Sequence, residues 1–338
     1  MKKLLVILLI ISASLYGQDA HFSSPTHAET LFNPAQTGLF SGCYRISANY
    51  RNQWLSTGAP YNTYLVALDE PVKISQNSRQ TLGVGFHLLQ EVSAGQLIKH
   101  TDIKLNLAYH RYLDYDYKHL LSGGFHAGIL LTKLNINDIG FEEQYNSVSA
   151  IDLDRNNGES FITGNIFAFD INIGALYQYK VKGTKIQSGL TINHINRPYF
   201  SVFNIENDST RMNLKHNFNF LYQKDLSKKS RLTLSTANHV QGGYSVILFG
   251  GSLMYRDFLI SGEKNTIEFG VFHRIAEAII LNFRTKYNNH IINFNYDITV
   301  SGYVRATQSF GAFEIGYTRS IQCKPEIPSD CSRPCLRL

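Results

Sequence analysis

The sequence has one tryptophan, three methionines and few charged residues, and it has no long apolar run after position 17. Charged side chains make up 17% of the 338 residues, which is low for a soluble protein. No apolar stretch of about 18 residues follows position 17, so a membrane-spanning helix is excluded there. The net charge of +6 is spread along the chain, and without a basic run we expect no nucleic-acid partner.

The first 17 residues differ from the rest of the chain. Lys2 and Lys3 precede a short apolar run, "LLVILLIISASLYG", which ends in Gly17 before Gln18. This order of charged, apolar and small residues is typical of a secretory signal peptide. No cysteine follows directly, so a lipoprotein anchor is not expected. We expect residues 1–17 to direct export and the mature chain to begin at Gln18.

Aromatic residues are abundant, with 20 tyrosines and 21 phenylalanines, and they occur in alternating segments. In "HIINFNYDITV", residues 290–300, apolar and polar residues alternate with a period of two. Successive side chains of a strand point to opposite faces. Each such segment therefore predicts a strand with one aromatic, apolar face and one polar face.

Fourteen segments are predicted to be strands, most of them about 10–15 residues long, which suits a tilted membrane-spanning strand. They are 43–54, 61–70, 80–91, 100–113, 118–133, 166–181, 185–196, 211–225, 229–241, 244–257, 264–274, 278–287, 290–301 and 310–322. Short polar turns alternate with longer connections, of which 134–165 and 197–210 are the longest, as in outer-membrane barrels. We predict an all-β fold, an antiparallel up-and-down transmembrane β-barrel of about 14 strands. The barrel covers 43–322, after an irregular segment at 18–42 and before a tail at 323–338.

Three of the four cysteines lie in the tail. In an exported protein disulfides are permitted. Cys323, Cys331 and Cys335 could include one bridge, with the third thiol left over or paired to Cys43. Free thiols are an alternative, and the spacing lacks the paired short intervals of a zinc ribbon.

Motifs of enzymes and cofactor sites are missing. The sequence has no phosphate-binding loop, no His-Glu-x-x-His helix and no Gly-x-Ser-x-Gly elbow. Its 12 histidines show no metal-ligand spacing. The acids of the long loop, Glu142, Glu143, Asp152 and Asp154, are typical of solvated loop residues more than of a calcium site. We predict no catalytic residue, no metal and no cofactor.

Several stretches resemble, in order, the PorP/SprF family, outer-membrane components of the type IX secretion system of Bacteroidetes. They include "FNPAQTG" (32–38), "YRNQW" (50–54), "LDEP" (68–71), "FDINIGALY" (169–177), "FNYDITVSG" (294–302) and "GAFEIGY" (311–317). The residues that carry the resemblance are Asn33, Pro34, Gly38, Asp69, Pro71, Asp170, Gly174 and Glu314. The final "PCLRL" is similar to a Pro-Cys-Pro-Arg-Phe ending, with Leu336 and Leu338 replacing proline and phenylalanine.

The resemblance implies a non-enzymatic secretion component with a periplasmic C-terminal tail. Its implied partners are outer-membrane lipids, periplasmic ring lipoproteins and the C-terminal domains of secreted cargo, such as gliding-type adhesins. We add the hypothesis that Arg45, Arg51, Gln53 and Trp54 form a rim that receives a cargo segment. The segment 18–41 would lie inside the barrel or at its periplasmic mouth. The alternatives are a diffusive porin or solute channel, a barrel enzyme and a soluble secreted β-protein.

Overall fold

A computed structural model describes residues 19, 21–23, 28–74, 79–135, 141–146, 150–152, 165–200, 210–257 and 265–323. The predicted signal peptide, and the tail residues Cys331 and Cys335, lie outside this part of the chain. Within it, fourteen antiparallel strands close into a barrel, each paired with its neighbours in sequence, and the first strand pairs with the last. The predicted fold is confirmed.

The strands of the barrel match the predicted segments to within a few residues. They are β1 Tyr44–Gln53, β2 Tyr61–Lys73, β3 Gln80–Ser93, β4 Ile98–Tyr112, β5 His119–Leu134, β8 Asn165–Val181, β9 Thr184–Asn193, β10 Lys215–Asp225, β11 Ser230–Gln241, β12 Tyr244–Arg256, β13 Asn265–Arg274, β14 Ala278–Tyr287, β15 His290–Thr299 and β16 Phe310–Ile321. In the long loop, β6 Tyr145–Asn146 and β7 Ala150–Ile151 form a small ribbon. Short helical turns cover Glu29–Phe32, Pro34–Gln36, Leu55–Thr57, Ala94–Gln96, Glu142–Gln144 and Val304–Thr307.

The two ends of the barrel differ. At the end where β1 begins and β16 finishes, called the terminal end below, the connections include the two-residue turns 182–183 and 288–289. The opposite end, called the loop end, carries the long connections 135–164 and 194–214 and the connection 300–309 between β15 and β16. This asymmetry is the one expected of an outer-membrane barrel.

The faces of β15 show why the chain suits a membrane. Ile292 and Phe294 are 50% and 40% exposed on the outer surface, whereas Asn293, Asn295 and Asp297 are buried inside. An apolar exterior around a polar interior is the reverse of a soluble protein and fits a barrel surrounded by lipid. Among the described residues, no helix combines the length and apolar character needed to cross a bilayer.

A disulfide joins Cys43 to Cys323 at the terminal end, with 5.1 Å between their Cα atoms. In a closed barrel the first and last strands are neighbours. The residue before β1 and the residues just after β16 therefore come together at the terminal end. Of the options open to Cys323, pairing with Cys43 is therefore the one observed, and a bridge between Cys331 and Cys335 concerns residues outside the described part of the chain.

Candidate functional site inside the barrel

The lumen holds the N-terminal segment of the chain itself. Residues 19–42, described at 19, 21–23 and 28–42, are called the plug below. Asp19 contacts Gln241 at the loop end, whereas Gly38 contacts Asp69 in the half of β2 nearer the terminal end. The plug therefore runs along the lumen from the loop end toward the terminal end. The segment lies inside the barrel, which is one of the two positions expected from the sequence.

Apolar side chains anchor the middle of the plug. Phe22, Ala28 and Phe32 are buried against Leu65 and Leu89, which point inward from β2 and β3. Burying a large apolar side chain stabilises by about 1.5–3 kcal/mol. The plug is thus packed against the wall as a small hydrophobic core within a polar lumen.

The first ionic cluster fixes the plug near the terminal end. The Arg45 guanidinium donates to both Asp69 carboxylate oxygens, from Nε at 2.9 Å and from Nη2 at 2.7 Å. Its Nη1 donates to Glu29 of the plug at 2.7 Å. Asp69 also accepts the Gly38 N–H at 2.6 Å. This forked geometry is among the stronger charge-assisted arrangements, and it ties two points of the plug to β1 and β2.

The second ionic cluster fixes the plug near the loop end. The Ser23 hydroxyl donates to Asp297 at 2.7 Å, and the Ser23 N–H donates to Glu314 at 2.7 Å. Arg51 donates to the Ser23 hydroxyl and to Asp297, the latter at 3.0 Å. Arg274 donates to the same Asp297 carboxylate at 3.2 Å. One serine of the plug thus bridges acids from β15 and β16.

The third ionic cluster holds the first described residue of the plug. His194 lies between two carboxylates, with Nδ1 2.8 Å from Asp170 and Nε2 2.9 Å from Asp19. Lys215 is 3.2 Å from Asp19, and Lys104 is 2.8 Å from Asp170. Both imidazole nitrogens face acceptors, so the doubly protonated form fits this site.

The pKa values of this cluster agree with its geometry. Burial lowers the pKa of the His194 imidazole, but the charge of Asp19 and the hydrogen bonds to both carboxylates outweigh burial and raise it to about 9. Burial raises the pKa of the Asp19 carboxyl, yet Lys215 and His194 hold it well below its usual range. At neutral pH the cluster is therefore a set of ion pairs.

Glycines in the wall let the plug backbone approach closely. A Cβ at Gly83 would overlap the Thr37 carbonyl oxygen, and one at Gly124 would lie 2.6 Å from the Pro34 backbone. A Cβ at Gly174 would overlap the Asn33 side chain. Glycine inside a strand often marks such a contact. These positions are therefore shaped for the plug.

Asn33 organises the tightest part of the plug. Its side-chain oxygen accepts the Ala35 N–H at 2.9 Å and caps the turn that begins at Pro34, a role for which asparagine is well suited. Its amide nitrogen donates to the Ala175 carbonyl in β8 at 3.1 Å. One side chain thus shapes the turn and attaches it to the wall.

Two of the four residues of the hypothetical cargo rim lie inside the barrel and contact the plug. Arg45 is the second residue of β1, at the terminal end, and its partners are Asp69 and Glu29. Arg51 is 1% exposed and binds Ser23 of the plug. The peptide segment that these arginines receive is the chain's own plug, because each arginine points inward from an alternating strand.

Gln53 and Trp54 do lie at the loop end. Trp54 follows β1 and stacks on Tyr303, with ring centroids 5.5 Å apart and planes 20° apart. Both Gln53 and Trp54 line a cavity of about 420 Å³, called the loop-end cavity below. A second cavity of about 210 Å³, lined by Glu29 and Arg45 among others, lies at the terminal end, and the two have no lining residue in common.

The residues that carry the family resemblance gather at the plug. Asn33, Pro34 and Gly38 belong to the plug itself. Asp69, Gly174 and Glu314 are wall residues that meet it directly, and Asp170 reaches it through His194. Pro71 lies in β2 opposite Gly83, the wall glycine that faces Thr37. Sequence reasoning assigned no individual role to Ser23, His194, Lys215 or Arg274, which complete the clusters.

Solved structures with a similar fold include a transporter and a channel. The toluene transporter TbuX of Ralstonia pickettii has a TM-score of 0.50 and 13% identity, and the match covers 92% of this chain and 98% of that chain. The monoaromatic hydrocarbon channel CymD has a TM-score of 0.51 and 12% identity, over 91% of this chain and 96% of that chain. At these identities the likeness concerns the fold alone.

Similarity in sequence identifies the family. No curated protein matches the chain. The family described as "Type IX secretion system membrane protein PorP/SprF" matches residues 14–318, which cover the plug and nearly all of the barrel. The chain therefore belongs to the PorP/SprF family of type IX secretion system membrane proteins.

Proposed function

We propose that this protein is a non-enzymatic outer-membrane component of the type IX secretion system, which acts as a sealed scaffold. It supports the export or surface attachment of cargo proteins and contacts periplasmic partners. The observation that carries this proposal is the plug, because a barrel whose lumen holds its own chain works through its two ends. Family membership supplies the connection to type IX secretion.

The plug is a resident part of the barrel in this proposal. Withdrawing it would break the contacts that Glu29, Ser23 and Asp19 of the plug make with charged residues of the wall. Hydrogen bonds to charged groups contribute about 1.5–3 kcal/mol each. With three clusters of this kind, spontaneous opening is rare, and solute diffusion through the lumen is disfavoured.

A diffusive channel is the second candidate, because TbuX and CymD share the fold and are described as a transporter and a channel. The two candidates differ in conductance. The sealed scaffold predicts no steady current across a planar bilayer, whereas an open channel predicts a stable single-channel current. A variant that lacks residues 19–42 provides the reference for an empty lumen.

The test combines two measurements on the full chain. We would isolate an affinity-tagged protein from detergent-solubilised outer membranes and identify the co-purifying proteins by mass spectrometry, and we would measure conductance on the same preparation. Recovery of a surface adhesin or of periplasmic ring lipoproteins, without steady conductance, supports the scaffold. Recovery of the barrel alone, with steady conductance, contradicts the scaffold and supports the channel.

A further inference from the structure

The loop-end cavity adjoins the second ionic cluster, because Arg51 and Asp297 are among its lining residues. Its volume of about 420 Å³ lies within the range of small-molecule sites, roughly 300–1,000 Å³. The plug contributes His21 to the lining, and the β1–β2, β13–β14 and β15–β16 connections contribute Trp54, Glu277 and Tyr303. The cavity is therefore built from three separate connections around the plug.

The charge that this cavity offers to a ligand is negative. The side chains of Arg51, Arg274 and Asp297 are each 2% exposed and bind one another below the surface. Glu277 is 23% exposed and is the most accessible charged side chain among them. Its Oε1 accepts from Arg274 at 2.7 Å, which orients the carboxylate at the lining of the cavity.

The protonation of the two neighbouring groups agrees with this charge. Burial raises the pKa of the Glu277 carboxyl, but His21 and Arg274 outweigh burial and hold it well below its usual range. Burial is the main cause that lowers the pKa of the His21 imidazole. At neutral pH a ligand therefore meets a carboxylate beside a neutral imidazole.

Aromatic rings form another part of the lining. Tyr303 is 61% exposed and Tyr244 is 40% exposed, while Trp54 stacks on Tyr303. Trp54 has a φ of 60°, in the left-handed region, which is uncommon for a bulky residue and is a feature of ligand sites. Aromatic faces attract cations, most of all the face of tryptophan.

We propose that the loop-end cavity binds a basic side chain, an arginine or a lysine, of a partner polypeptide. The proposal deepens the proposed function and rests on it for the partner. A carboxylate and aromatic rings together complement a cation on an apolar stem. An anionic ligand finds no accessible guanidinium group there, because the side chains of Arg51 and Arg274 are each 2% exposed.

Trp54 makes the test specific, because it is the only tryptophan of the chain. The full chain in detergent would be titrated with N-acetyl-arginine amide, a capped arginine without free termini, while the Trp54 emission is recorded. The neutral isostere N-acetyl-citrulline amide is the matched probe. We expect a saturable change with the arginine probe and none with the citrulline probe.

Two variants locate the site. Glu277→Gln should lower the affinity for the arginine probe by about tenfold or more, because hydrogen bonds between charged groups contribute more than hydrogen bonds between neutral groups. Glu143→Gln removes one exposed acid from the long loop and should leave affinity unchanged. Tyr303→Ala, at an exposed position, should weaken binding of the arginine probe without unfolding the barrel. Retention of the folded form in cold detergent gels checks that the variant is folded.

The outcomes separate this proposal from the proposed function. Equal binding of both probes, or equal affinity in Glu277→Gln and Glu143→Gln, overturns the cation site even if secretion partners co-purify. If Glu277→Gln abolishes the recovery of partners from the membrane and Glu143→Gln keeps it, both the cation site and the proposed function are supported. Selective arginine binding with no secretion partner in the pull-down supports the cavity and contradicts the scaffold.

Discussion

Replacing Arg45 by methionine tests whether buried ion pairs hold the plug in place. The guanidinium donates twice to Asp69 and once to Glu29. The Asp69 side chain is 2% exposed, so after the change its carboxylate keeps the Gly38 N–H but loses its cation. Glu29 is 37% exposed and contributes little, because water can solvate it. We expect R45M to lower the free energy of unfolding by about 3–5 kcal/mol.

A double variant separates the charge from the packing. In Arg45→Met/Asp69→Asn both charges are absent, so no buried carboxylate remains without a cation. Replacing a buried pair by neutral groups is often close to neutral, and we expect the double variant to be more stable than R45M by about 2 kcal/mol. The assay is urea unfolding of the lipid-reconstituted chain, followed by Trp54 fluorescence.

An exposed pair is the control. Lys118 lies 2.7 Å from Asp116 in a connection at the terminal end, with side chains 43% and 70% exposed. Exposed pairs contribute little, so Lys118→Met should leave the unfolding midpoint unchanged. If R45M resembles Lys118→Met, or if Arg45→Met/Asp69→Asn is no more stable than R45M, the argument from burial is refuted.

Three further changes test the wall glycines, the histidine and the disulfide. Gly124→Ala should lower stability by about 1–3 kcal/mol, since its Cβ would meet the plug backbone, whereas Gly123→Ala meets open space and should be neutral. The pKa of His194 is raised from 6.5 to about 9, so its contribution to folding stability is complete below pH 6.5 and is lost as pH rises through 9. The thermal unfolding midpoint of His194→Gln should not show this fall. Cys43→Ser should cost about 2–4 kcal/mol in urea unfolding, as should reduction of the bond to Cys323.

Each of these expectations has an outcome that contradicts it. Equal midpoints for the two glycine variants would mean that the plug does not press on the wall at Gly124. A fall in stability above pH 9 that persists in His194→Gln would assign it to another group. If a reductant leaves the stability of the parent chain unchanged while Cys43→Ser is less stable, the serine acts through something other than loss of the disulfide.

The strands could be predicted from the sequence because their signal is local. In β15, alternation alone separates Phe294 and Ile292 from Asn293 and Asn295. As the pattern predicts, the first two side chains lie on the outer face and the two asparagines on the inner face. The pattern also gives the number of strands, since each polar turn interrupts it. Closure then places the first strand beside the last, and the Cys43–Cys323 pairing follows from closure more than from spacing.

The plug contacts could not be predicted in the same way, because alternation says which face a side chain occupies and not what lies opposite. Arg45 and Arg51 fall on the polar face of the alternating strand β1, yet their partners lie up to 246 residues away in sequence. A water-filled channel and a plugged lumen require the same polar face. Long-range pairing, not local propensity, decides between them.

One signal in the sequence did point to the plug. Gly83, Gly124 and Gly174 fall within predicted strands, where glycine is unfavourable unless a neighbouring backbone comes close. All three face the segment 33–37. Inward-facing glycines on several strands, together with an irregular segment outside the sheet, therefore predict that the segment lies against those strands.

The plug has a consequence for where partners can reach this barrel. The three ionic clusters and the close backbone contacts fix the plug along the inner wall, so a partner can reach the protein only from the lipid or at the two ends.

At the loop end, the plug contributes His21 to the lining of the cavity, together with Glu277 and Trp54. A change that loosens the plug, such as R45M at the other end, should therefore also reduce binding of a basic ligand in that cavity, although Arg45 does not line it. Titration of the arginine probe against R45M and Lys118→Met measures this coupling; equal affinity in the two variants would mean that the cavity forms without a firmly held plug.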